Sequence, residues 1–156
     1  MLHRALLPVD GSAPALAAVG PAVQAVSPHG GIVLCSVIPT LDELLVATAT
    51  STRDGRLALE LAQRSHAGRL QEAREQLREA ARRVVTAGGR VEQRRVVEGA
   101  PGPAILRAAA QDECDVIAMA TNGRAGWSRA ILGSVADYVV RNAEDLPVLL
   151  VRRAPA

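Results

Sequence analysis

The segment Ala120-Thr-Asn-Gly-Arg-Ala-Gly-Trp-Ser-Arg-Ala-Ile-Leu-Gly-Ser134 joins an apolar run, Val116-Ile-Ala-Met-Ala120, to helix-like sequence, Val135-Ala-Asp-Tyr-Val-Val-Arg141. That pattern reads as a buried strand, a glycine-bearing loop and a helix that starts at Gly133-Ser134. Such a loop places bare backbone N–H groups and a helix N-terminus at one point. The helix dipole and the unpaired N–H groups together favour an anion there, most often a phosphate. Ser134 adds a hydroxyl that can cap the helix or reach a phosphate oxygen. The rest of the chain reads as a sheet built to hold this loop.

The 156 residues fit one domain, 1–156, with room for a real core, and 49% of them are hydrophobic. Aromatic residues make up only 1%: Trp127, Tyr138 and no Phe. The core is therefore expected to be Ala, Val, Leu and Ile. The same shortage argues against modules that stack RNA or single strands on exposed aromatics. Net charge is +2, and the arginine doublets at 82–83, 94–95 and 152–153 are spread rather than gathered into a tract. No nucleic-acid partner is expected, because such binding needs a concentrated basic face.

All 18 basic residues are Arg, with no Lys. That excludes a P-loop, which needs its Lys on the β- and γ-phosphates, and Schiff-base chemistry, which needs a Lys amine. Cys35 and Cys114 sit far apart in apolar runs without a C-x-x-C partner, and read as buried small hydrophobes. His3, His29 and His66 have no metal-ligand spacing, so no metal site is expected from side chains. The N-terminus has no long apolar h-region, and no apolar run reaches the ~20 residues a membrane span needs. A cytoplasmic protein without membrane association is the expectation.

Taken in order, Leu2 to Val9 is a buried strand closing in the turn Asp10-Gly11-Ser12. Ser12 or Asp10 then caps a helix that carries Pro14 in its first turn, meets Pro21 inside, and ends near Ser27-Pro28. Gly30-Gly31 reads as a turn, and Ile32 to Ile38 as a second strand buried on both faces. Residues 40–56 read as irregular. Leu57 to Thr86 has apolar residues at helical spacing, with room for a bend at Gly68, and Gly88-Gly89 ends it. Val91 to Val97 is the most polar strand and is expected at a sheet edge. A helix over 104–110, a strand over 115–120, the glycine loop with its helix, and a last strand over 146–151 complete the chain. Alternating strands and helices imply an α/β fold: a parallel sheet with right-handed crossovers and helices on both faces. Ligands of such sheets bind at the carboxyl ends of the strands, where strand order reverses.

The chain resembles the universal stress proteins. Two motifs carry the resemblance in the right order: Leu7-Pro-Val-Asp-Gly-Ser12, and a G-x2-G-x9-G-[S/T] loop in which nine residues separate Gly123 from Gly133-Ser134. The ending Pro147-Val-Leu-Leu-Val-Arg152 also matches, so the likeness spans nearly the whole chain. One position departs: the first glycine of the loop pattern is Ala120 here. Its backbone N–H survives the change, and its methyl is tolerated unless the backbone there is left-handed. Retention of every other loop position favours continued binding.

The resemblance implies a three-layer αβα sandwich of the adenine nucleotide alpha hydrolase-like kind, with a five-stranded parallel sheet in the order 3-2-1-4-5. It implies an ATP-binding, stress-response regulator of the glycine-loop subgroup, and a homodimer formed by pairing the last strand. Val148 to Val151 supports the dimer independently, as an apolar edge with little to shield it. In the ATP reading Asp10 lies at the adenosine end and accepts from the adenine amino group or a ribose hydroxyl. Val9 and Val37 pack on the base and offer backbone groups, and Pro8, Met119 and Ala120 also belong to the nucleotide-binding set. Gly123, Gly133, Ser134 and Val135 offer N–H groups to the phosphates, and Arg124 screens their charge. Mg2+ or Mn2+ would be held mainly by the phosphates. No residue set suggests efficient catalysis, so at most slow ATP hydrolysis is expected. The alternative is a nucleotide-free dimeric interaction module of the same fold. The regulatory protein partner is unknown.

Overall fold

The computed structural model describes residues 1–121 and 132–152. The elements run β1 (Leu2–Pro8), α1 (Ala13–Ala17), α2 (Val19–Ala25), β2 (Val26–Ile38), α3 (Leu41–Ala49), α4 (Gly55–Thr86), β3 (Val91–Glu98), α5 (Pro101–Gln111), β4 (Val116–Thr121), α6 (Ser134–Asn142) and β5 (Val148–Arg152). The five strands form one sheet in the order β3-β2-β1-β4-β5, with every neighbouring pair parallel. The polar strand β3 stands at one edge and β5 at the other.

Alternation along the strands sends successive side chains to opposite faces, and each face buries its own layer. Ala5, Leu7, Ile32, Leu34 and Ala118 meet α2 and α4 through Val19, Ala22, Leu77, Ala80 and Val84. Leu6, Val33, Cys35, Ile117 and Met119 meet α5 and α6 through Ile105, Ala108, Ala109, Ala136 and Val139. The result is a three-layer αβα sandwich. Helix faces of alanine let backbone and sheet approach closely, which fills the interior without large aromatics. Tyr138, the described aromatic residue, is exposed. Among the described residues, no helix is long and apolar enough to cross a membrane.

Three local expectations are corrected. The first helix is broken at Ala18, not continuous to Ser27. Pro21 has no N–H, and its ring conflicts with the carbonyl four residues back. Ending α1 at Ala17 puts Pro21 in the first turn of α2, where neither matters.

Strand β2 begins at Val26, so Gly30-Gly31 is inside the strand rather than a turn. The register slips between Leu2 and Arg4 as β1 pairs with this part of β2. A side chain at Gly30 would sit 2.6 Å from the His3 carbonyl, and one at Gly31 would collide with Glu92. Those glycines serve close packing in the sheet.

Residues 40–56 are not irregular throughout, since α3 occupies nine of them. Thr40 and Glu43 form a capping box: Glu43 N–H donates to Thr40 Oγ1 at 3.1 Å, and Thr40 N–H donates to Glu43 Oε2 at 2.8 Å. Asp54 then caps α4, which runs uninterrupted for 32 residues through Gly68.

Candidate functional site

The carboxyl ends of β1, β2 and β4 border a cavity of about 320 Å³. This lies at the reversal of strand order in a sheet of this kind, and its size is that of a small-molecule pocket. Its base comes from the strands. Pro8, the last residue of β1, pairs with Cys35, and Val9 N–H donates to the Cys35 carbonyl at 2.8 Å. Val9, Cys35 and Met119 are buried, Val37 is half-buried, and together they give the cavity an apolar floor.

The turn after β1 has a division of labour that the sequence left open. Asp10 Oδ1 accepts from Ser12 N–H at 2.9 Å, and Ser12 Oγ accepts from Ala15 N–H at 3.2 Å. Ser12 is therefore the cap of α1, and Asp10 fixes the turn ahead of it. Gly11 between them has φ +77°, a left-handed backbone. A side chain there would also come within 2.9 Å of the Gln76 amide on α4. Asp10 remains exposed, with its carboxylate at the cavity mouth. Asp10 and Val37 also border a second recess, about 230 Å³, on the α4 side with Ser36, Arg69, Glu72 and Gln76.

Helix α6 closes the opposite wall with Gly133, Ser134, Val135 and Ala136. Its first helical hydrogen bond runs from Asp137 N–H to the Gly133 carbonyl at 2.9 Å. The N–H groups of Ser134, Val135 and Ala136 precede that bond and have no acceptor within the helix. They end a helix dipole at the cavity wall, which is the arrangement that binds an anion. The cap position is Gly133, not Ser134, and it makes no side-chain cap hydrogen bond. Ser134 is instead the first helical residue, and it is exposed.

Gly133 itself has φ −56°, which any residue adopts, and a Cβ there would meet no atom of the described residues within 4 Å. Neither backbone strain nor crowding among the described residues calls for glycine. A bare backbone facing the cavity leaves room for a ligand to approach closely.

Of the residues nominated from sequence, Pro8, Val9, Asp10, Val37, Met119, Ala120, Gly133, Ser134 and Val135 all line this one cavity. Gly123 and Arg124 lie outside the described residues. Sequence reasoning missed Ser12, Pro14, Ala15, Cys35, Pro101, Ile105 and Ala136, which also line it. The α1 residues follow Asp10 directly and Ala136 follows Val135, so adjacency to a nominated residue was their signal. Pro101 and Ile105 had no local signal. They arrive because α5 must cross from edge strand β3 back over β2 and β1 to reach β4.

Burial, the largest influence, pushes the thiols of Cys35 and Cys114 up to about 12. Cys35 is thus a neutral thiol in the cavity floor rather than a nucleophile. Among the described residues, no group of three or more His, Cys, Asp or Glu is placed to hold a metal ion.

Comparison with known proteins agrees with this architecture. The model of the universal stress protein family matches residues 1–152. Universal stress protein MJ0531 of Methanocaldococcus jannaschii is 41% identical over 58 residues, covering 37% of this chain and 34% of that protein. The chain thus matches about a third of the length of that curated relative. Among solved structures, the protein MJ0577 superposes with a TM-score of 0.75 at 22% identity, covering 100% of this chain and 99% of that one. A universal stress protein in complex with cAMP gives 0.65 at 22% identity over 98% of each chain. The universal stress protein of Archaeoglobus fulgidus in complex with dAMP gives 0.62 at 18% identity, covering 96% and 97%.

Proposed function

The chain belongs to the universal stress protein family, and on that premise we propose that it binds an adenine nucleotide, ATP, in the cavity between β1, β4 and α6. In this reading it is a dimeric, nucleotide-dependent stress-response regulator that hydrolyses ATP slowly at most. The observation that carries the proposal is the pairing of two unlike walls across one cavity. An apolar floor of Val9, Val37 and Met119 suits a base, and the N–H groups of Ser134, Val135 and Ala136, without a backbone acceptor among the described residues, suit a phosphate. Structural relatives with cAMP and dAMP support the adenine class.

The roles follow from charge. Asp10 takes the adenosine end, where its carboxylate accepts hydrogen bonds from the amino group or a ribose hydroxyl and stays clear of the phosphates. Gly133 and the first turn of α6 take the phosphates, joined by Gly123 and Arg124 as the loop pattern implies. Mg2+ or Mn2+ would neutralise phosphate charge and be held mainly by phosphate oxygens and water. No lysine exists to stabilise a transferring phosphoryl group. At most slow turnover is expected in this reading. The edge position of β5, with Val148, Leu149, Leu150 and Val151 each only half-buried, supports pairing with a second copy. A regulatory protein partner would read the nucleotide state of that dimer.

The test is mass spectrometry of ligand released from purified protein, joined to thermal melting with ATP, AMP and cAMP. A site filled at 100 times its Kd adds about 2.7 kcal/mol. Absence of both nucleotide and stabilisation would leave the fold as a nucleotide-free dimeric interaction module. Steady ATP turnover well above a Gly133→Asp control would overturn the regulator reading in favour of an enzyme.

A further inference from the structure

A groove of about 470 Å³ between α4 and β3 is lined by three arginines and no acidic residue. Arg74 and Arg78 stand one turn apart on α4, and Arg94 reaches the same space from β3. Leu70, Leu77 and Val96 complete its lining. Several other arginines on the same elements pair with carboxylates: Arg82 and Arg83 with Glu79, Arg56 with Glu60, and Arg95 with Asp112. The side chains of Arg74, Arg78 and Arg94 have no hydrogen-bond or ion-pair partner among the described residues. Like charges at i and i+4 on a helix repel weakly, and an anion held between them would relieve that repulsion.

The groove runs beside an open sheet edge. Strand β3 ends the sheet order, and no described strand pairs with its outer side. Such an edge presents backbone N–H and C=O groups to an incoming strand. Guanidinium forks match carboxylates in planar, bidentate pairs.

We propose that β3 and α4 together bind an extended acidic segment of a partner protein, which adds to the sheet as a strand beside β3. Alternate side chains of that segment face α4. Its carboxylates meet Arg74, Arg78 and Arg94, and its apolar side chains cover Leu70, Leu77 and Val96. The groove shares no residue with the nucleotide cavity, so its test does not depend on ATP binding.

The probe is a fluorescein-labelled peptide, Glu-Thr-Val-Thr-Glu-Thr-Val-Thr-Glu, titrated with the full chain by anisotropy. Wild type is expected to bind it and to ignore a peptide with Lys in place of each Glu. Reversing charge in an Arg74→Glu, Arg78→Glu double variant, and separately in Arg94→Glu, is expected to weaken binding at least tenfold, with the circular dichroism spectrum unchanged. Arg94→Gln serves the same purpose if the reversed variant fails to fold. Methylating alternate backbone nitrogens of the peptide is expected to abolish binding, since it removes the donors a strand needs. No binding by wild type, equal binding by the variants, or equal binding of the methylated peptide would each overturn the proposal. So would tight binding of long-chain polyphosphate with none of the peptide.

Discussion

Ala120 stands opposite Val151 in the parallel ladder between β4 and β5. The residue that replaces the first glycine of the loop pattern is therefore still strand. Glu113 and Glu144 are the non-glycine residues with positive φ among those described, and Ala120 is not one of them. Its backbone is extended, and a methyl there carries no strain. Ala120→Gly is accordingly expected to change ATP affinity by less than roughly threefold, under about 0.7 kcal/mol. It is expected to lower folding stability by about 0.5–1 kcal/mol, the cost of glycine inside a regular element. Calorimetric titration and urea unfolding measure the two effects. Binding tighter by tenfold or more would mean that the methyl itself obstructs the nucleotide.

At Gly133, stability and binding are expected to move in opposite directions. Asp is a strong helix cap, and its side chain would meet no described residue at this position. Gly133→Asp should therefore match wild type in stability or exceed it by a few tenths of a kcal/mol. The same carboxylate would sit at the N–H groups that are proposed to hold phosphate. ATP should then give no rise in melting temperature. A variant that is destabilised, or that still binds ATP, would show that Gly133 has a structural role or that the phosphates lie elsewhere.

The parts of the fold that were legible share one property: their signal is local. The apolar runs ending at Pro8, Ile38 and Ala120 mark strands by composition alone. The polar pattern of Val91 to Val97 marks an edge, and Asp10-Gly11-Ser12 marks a turn. The Thr40–Glu43 capping box was equally local, but the small residues Ala47, Thr48 and Ala49 dilute the helical pattern behind it. The start of β2 was not legible, because Gly30-Gly31 carries a turn signal that pairing with β1 overrides. Nor was the place of Pro101 and Ile105 in the cavity wall, which depends on a crossover spanning two strands. Sequence brought nine nominated residues into one cavity because eight of them flank the two motifs Leu7–Ser12 and Ala120–Ser134; Val37 followed from the end of the second strand.

The buried thiols set an alkaline limit on stability. Cys35 and Cys114 are both raised by burial from 9.0 to about 12. Between those values the unfolded chain loses thiol protons that the folded chain keeps. Stability is then whole below about pH 9 and is lost as pH climbs towards 12. The double variant Cys35→Ala, Cys114→Ala should show a shallower decline across that window, although less stable at neutral pH because of its smaller core side chains. Urea midpoints at several alkaline pH values provide the comparison. Parallel slopes for the two proteins would mean that the thiols are not what titrates. At pH 8 a disulfide reagent should react with native protein far more slowly than with urea-unfolded protein.

Helix α5 ends on a strained residue that glycine would relieve. Glu113 has φ +50°, just past the cap residue Asp112. Its N–H donates to the Ala110 carbonyl at 3.2 Å, and Cys114 N–H donates to the Ala109 carbonyl at 2.9 Å. These are the two bonds of a Schellman ending, in which this position is usually glycine. A left-handed residue with a side chain costs about 1–2 kcal/mol. Glycine removes that cost and adds back up to about 1 kcal/mol through the freedom it gives the unfolded chain. Glu113→Gly should therefore gain about 0.5 kcal/mol, which for a chain of this length raises Tm by about 1–2 °C. Glu113→Ala keeps the left-handed strain and should give no such gain. That pair separates backbone relief from loss of the carboxylate, which lies near Arg4. Equal gains in both variants would assign the effect to charge, and a lower Tm for Glu113→Gly would mean that the helix ending is not strained.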